Sequence, residues 1–143
     1  VIGFEVNPLT KGKFIGEYQK NAVTGASPVQ LVVMLYDGAL KWMRQGREAI
    51  AQGDLPQQNQ CLQRAQKIVL ELMSSLDMQR GGEIASNLLG LYGFVVEQLV
   101  LANVEDKPEP IDHCIAIFTE LRSSWIEVDR IARTQSSEVP LAA

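Results

Sequence analysis

The chain has 143 residues and a mass of 15.8 kDa, enough for one domain with its own core. Hydrophobic residues are 46% and charged residues 21% of the total, a composition that excludes wholesale disorder. The net charge of −4 and a pI near 5.0 exclude the basic face of a general nucleic-acid binder and the polybasic patch of a membrane-surface protein.

Residues 1–26 are expected to form an irregular arm. Gly3, Pro8, Gly12, Gly16 and Gly25 interrupt isolated large apolar residues such as Phe4, Phe14, Ile15 and Tyr18, and no helix or strand period is sustained. Val1 stands where a Met start is expected, so the chain reads as processed or trimmed. No charged start followed by an apolar run marks a signal peptide, and no stretch of about 18 apolar residues is expected to span a membrane.

Ser27 opens the first firm helix. Ser27 as N-cap, Pro28 at the first helical position and Gln30 three residues on make a capping box. The helix is expected to run through Gln52 and stop at Gly53 in a left-handed C-cap. Asp54 can cap the second helix, in which Leu62, Ala65, Val69, Leu72 and Leu76 recur at spacings of three and four. Gly81-Gly82 is expected to end it.

The third helix is expected over about Glu83 to Val104. Its stripes, Ile84, Leu88, Leu91, Val95, Leu99 on one side and Leu89, Val96, Val100 on another, leave it apolar on most sides. After the stiff Lys107-Pro108-Glu109-Pro110 connection, Ile111, Cys114, Phe118, Leu121, Trp125, Val128 and Ala132 line one face of a fourth helix. Residues 134–143 are expected to be a mobile tail. The whole predicts an all-α fold, an antiparallel up-and-down four-helix bundle over 27–133 within a single domain.

A search for chemistry finds little. His113 is the single histidine, and no Glu-x-x-His pair exists for a di-metal bundle site. Cys61 and Cys114 fall on apolar helix faces, in no C-x-x-C motif, and read as buried, reduced thiols of a cytoplasmic protein. No glycine-rich phosphate loop is present. The reading is a non-enzyme without cofactor or metal. The informative feature is surplus apolar surface. The first helix begins Val29, Leu31, Val32, Val33, Met34, Leu35, Tyr36, pointing all around, and a simple bundle has no use for a third helix apolar on nearly every side. Packing of the arm over these helices and a groove for an apolar partner both account for the surplus.

Tyr18, Asn21, Val23, Ser27-Pro28, Leu31 and Met34-Leu35-Tyr36-Asp37-Gly38-Ala39, at this spacing, resemble the signature of the flagellin-specific export chaperones, the FliS family. The likeness continues through Gly53-Asp54, Leu76-Asp77, Gly81-Gly82-Glu83-Ile84-Ala85, Asn87-Leu88, Leu91-Tyr92 and Ala102-Asn103 to Trp125. Gly93-Phe94 departs from the Asp-Tyr pair more usual in the family, and the arm before Tyr18 differs from its short Met-start leader.

The resemblance implies a bacterial cytoplasmic chaperone that binds the disordered C-terminal region of flagellin, blocks premature polymerisation and holds it for the flagellar type III export apparatus. It implies no nucleotide or metal. The residues singled out for partner binding are Tyr18 and Val23, placed by motif, and Leu31, Met34, Leu35, Leu88, Leu89, Tyr92 and Val96, taken from the overfilled helices. For each, a core position is the competing account. The alternative function is a structural or regulatory interaction protein, self-associating as a homodimer or binding an anti-sigma factor.

Overall fold

The computed structural model of the chain describes residues 27–138, with side chains through Gln135. The arm, including Tyr18 and Val23, and residues 139–143 lie outside the described residues. Four helices follow in order: α1 (Pro28–Gln52), α2 (Leu55–Ser74), α3 (Met78–Glu105) and α4 (Glu109–Glu138). No strand occurs among the described residues. Each helix packs against its two neighbours in a closed up-and-down ring, with α1 and α4 also in contact; the α1–α2 seam is the most extensive and α3–α4 the least.

The helix ends follow local chemistry. The Ser27 side chain accepts from Gln30 N–H at 3.1 Å, and the Gln30 side chain accepts from Ser27 N–H at 2.9 Å, closing the capping box. Gly53 ends α1 at φ 70°, the left-handed region where a side chain would be strained. Asp54 caps α2 through Gln57 N–H.

Two boundaries differ from the sequence reading. The second helix does not run to Gly81-Gly82; it stops at Ser74, and the chain turns through the fully buried Ser75, whose hydroxyl donates to the Leu72 carbonyl at 2.8 Å. Asp77 then starts α3 by accepting from Gln79 and Arg80 N–H at 3.1 and 3.0 Å. The glycines lie inside α3 instead. Gly82, at φ 51° and ψ −127°, interrupts the helix after its first turn without ending it. The other difference is at the C-terminus, where residues 134–138, assigned to a tail, continue α4.

The α1–α2 seam is tight because two glycines on α1 face α2. A Cβ at Gly46 would lie 2.6 Å from Leu62 Cδ2, and one at Gly38 would lie 3.3 Å from Ile68 Cδ1. On the other side of α1, Asp37 pairs with Arg122 and Arg47 with Asp112. Ten residues forward on α1 correspond to ten backward on α4, which is the antiparallel register. These exposed pairs set that register more than they add stability. Between α2 and α3, the buried Gln58 amide donates to Asn103 Oδ1 at 3.1 Å and to Asp106 Oδ1 at 2.7 Å.

The centre of the core is aromatic. Tyr36 from α1, Tyr92 from α3 and Phe118 from α4 are all 0% exposed, with the Tyr36 and Phe118 rings 4.8 Å apart. The Tyr36 and Tyr92 hydroxyls are hydrogen-bonded at 2.5 Å, and Trp125 Nε1–H donates to Tyr36 Oη at 3.1 Å. Burial pushes the Tyr36 phenol up to about 12 from its ordinary 10.0, moves Tyr92 in the same direction, and raises the Cys114 thiol from 9.0 to about 12. A group whose pKa rises on folding contributes its full stabilisation below the unfolded pKa and loses it as pH climbs through the folded one. Stability measured by urea titration is therefore expected to be level from pH 7 to about pH 8 and to fall from there to pH 12. Tyr36 alone accounts for a loss of about 2–3 kcal/mol, and Tyr36→Phe should flatten part of that alkaline limb.

Candidate functional site

α3 is the element whose sequence and environment disagree. It is long and apolar enough, by length and composition, to cross a membrane, contrary to the expectation that no such stretch exists, yet only 28% of its most apolar stretch is buried. One stripe (Ala85, Tyr92, Val95, Leu99, Ala102) enters the core, each residue 0% exposed. The apolar residues on its other sides stay in solvent. Leu89, Phe94, Val100, Leu101 and Val104 are between 36% and 75% exposed, and Glu97 is the single charge from Ile84 to Val104. A Cβ at Gly90 or Gly93 would meet nothing within 4 Å, so nothing in the described chain covers this face.

Where α3 meets α4 the packing opens into a cleft of about 160 Å³, lined by Ile84 and Leu88 from α3 and by Leu121, Ser124, Trp125 and Val128 from α4. The two α3 residues are one turn apart, just beyond the Gly82 break, and the α4 residues recur at spacings that keep them on one face. The lining offers almost nothing to hydrogen-bond. Ser124 Oγ donates to the Glu120 carbonyl of its own helix at 3.2 Å, and the Trp125 N–H is turned inward to Tyr36. Such a cleft selects apolar side chains by size and shape.

The residues singled out from the sequence separate into groups. Leu88 lines the cleft, and Leu89 is exposed on α3. Val96 is half-buried and packs against the core. Leu31 and Met34 are half-buried on α1 and do not line the cleft. Leu35 and Tyr92, at 2% and 0% exposure, are core residues in this conformation, because the same helical stripe that made them stand out is the one that faces inward. Sequence reasoning passed over Ile84, Leu121, Trp125 and Val128 as cleft residues. All four were read only as members of apolar helix faces, and periodicity carries no signal that separates the wall of a cleft from the interior.

No three of His, Cys, Asp and Glu gather among the described residues as a metal ion would require, and both cysteines are buried. Burial also raises the Cys61 thiol, so both sulfurs are protonated at neutral pH and are poor nucleophiles.

The fold and the cleft define a class: an all-α up-and-down bundle that keeps an apolar cleft and a largely uncharged helix face on its outside. Residues 13–132 match the family described as "Flagellar protein FliS". The chain is 39% identical over 106 residues to the flagellar secretion chaperone FliS of Vibrio cholerae, covering 74% of this chain and 78% of that protein. It is 33% identical to the flagellar secretion chaperone FliS of Salmonella typhimurium, covering 82% and 88% respectively. A solved structure titled "Crystal structure of flagellar chaperone from bacteria" superposes with a TM-score of 0.69 at 18% identity, over 84% of this chain and 98% of that one, which supports the fold. The chain belongs to the FliS family. Its relatives are named as chaperones, which is not an enzyme class.

Proposed function

We propose that this protein is a cytoplasmic flagellar export chaperone that binds the disordered C-terminal region of flagellin, prevents its premature polymerisation and keeps it ready for secretion. The observation that carries the reading is α3, a helix apolar on its outside and next to an open apolar cleft, in a chain whose relatives are flagellar secretion chaperones. An isolated bundle gains nothing from exposing Phe94, Leu101 and Val104. A disordered, amphipathic segment that folds on binding covers such surface, and it must cover a large area to offset the free-energy cost of its own ordering. Holding the segment by which flagellin subunits associate blocks polymerisation by occupancy alone. The reading involves no catalysis, nucleotide or metal, and release falls to competition at the export machinery.

The contact residues proposed are Ile84, Leu88, Leu121, Trp125 and Val128 in the cleft, with Leu89 and Phe94 on the adjoining helix. Titration with a peptide of the flagellin C-terminal region is expected to show one-to-one binding with a gain of helix in circular dichroism. Absence of binding at tens of micromolar, or a stable homodimer in light scattering that ignores flagellin, would overturn the reading in favour of a self-associating interaction protein.

A further inference from the structure

Trp125 belongs to two systems at once. Its ring forms part of the cleft wall, while the residue is only 7% exposed and its N–H points away from the cleft into the core. The acceptor is Tyr36 Oη on α1, at 3.1 Å, and that oxygen is in turn bonded to Tyr92 Oη on α3 at 2.5 Å. One hydroxyl therefore links the wall on α4 to both helices that pack beside it, α1 and α3. A buried indole N–H deprived of its acceptor is costly, and it regains a partner most readily by rotating toward water. Trp125 lines the cleft, so such a rotation would move the cleft wall.

We propose that Tyr36 is a positioning residue for the cleft: by accepting the Trp125 N–H it holds the indole flat against the wall and keeps the cleft both open and free of hydrogen-bond donors. The inference deepens the reading that the cleft receives a flagellin segment and rests on it for the identity of the occupant. Tyr92 occupies a different place in the chain of bonds. Without its hydroxyl, Tyr36 Oη still accepts from Trp125. Tyr36→Phe takes a partner from two buried groups and Tyr92→Phe from one, so the first should cost more stability, and only the first should disturb the cleft.

The test uses the full chain labelled with nitrogen-15. Its two indole N–H signals come from Trp42 and Trp125 and are assigned with Trp42→Phe. In the free wild-type protein the Trp125 N–H should exchange slowly with solvent. Tyr36→Phe should speed that exchange at least ten-fold and weaken flagellin peptide binding about ten-fold. Tyr92→Phe should leave exchange and affinity within two-fold of wild type. In a Trp125→Phe background, which has no N–H to hold, adding Tyr36→Phe should cost no further affinity.

Equal effects of Tyr36→Phe and Tyr92→Phe on Trp125 exchange would overturn the proposal and reduce the hydroxyl pair to ordinary core packing. So would an undiminished loss of affinity in the Trp125→Phe background. If the wild-type chain binds no flagellin peptide, the proposed occupant is wrong, while the exchange rates, read in the free protein, still decide the positioning role.

Discussion

Replacing Tyr36 with alanine is expected to destabilise the bundle by about 4 kcal/mol, a large share of the roughly 5–15 kcal/mol a domain has in hand. Tyr36 is 0% exposed at the meeting point of α1, α3 and α4 and packs against Phe118 at 4.8 Å. Truncation leaves a cavity the size of a phenol ring and removes a hydrogen-bond partner from both Tyr92 and Trp125. Urea denaturation followed by circular dichroism should show a lower midpoint with an unchanged slope. A loss below about 1 kcal/mol would mean that the aromatic centre is not the keystone the geometry describes.

The second large effect falls on binding and should spare the fold. Ile84 lines the cleft at 45% exposure, so Ile84→Glu places a carboxylate on the cleft wall while leaving it hydrated in the free protein. Stability should change by less than about 0.5 kcal/mol, as for most surface substitutions. A bound apolar segment would strip water from that charge with no partner to compensate, a penalty of about 2 kcal/mol or more. Affinity for the flagellin C-terminal peptide should therefore fall at least about 30-fold in calorimetric titration. Leu55→Glu, at 58% exposure on the first turn of α2 and outside the cleft, is the control and should bind as wild type does. If both variants bind equally well, the flagellin segment lies elsewhere on the surface.

The structure bears out the four helices and the all-α bundle that the sequence predicts, and the reasons are local. The Ser27 capping box, the left-handed Gly53 and the Asp54 cap act within a few residues of themselves, so they are legible without knowing what packs nearby. The stripes of α2 and α4 point inward as read, with Leu62, Val69 and Leu72 or Ile111 and Phe118 at 0% exposure. Local reasoning failed where two local signals competed. Gly81-Gly82 reads as a helix stop, but the Ser75 turn and the Asp77 cap come first in the chain and take the reversal. The glycines are left as a break inside α3.

The site was legible only in outline. That α3 carries more apolar surface than a bundle can hide follows from its residues alone, as does the resemblance that points to a flagellar client. Which residues remain available does not follow, because Tyr92 and Leu88 sit one turn apart on the same helix. The first closes the core against Tyr36 and Phe118, and the second opens onto the cleft. The sequence by itself determined the helices, their inward faces and the surplus of apolar groups, since these depend on spacing along one chain. Only the tertiary structure decided that the surplus would become a cleft between α3 and α4 with the Trp125 donor turned inward. That outcome depends on how closely two distant helices approach and on which hydroxyl from a third reaches the indole first.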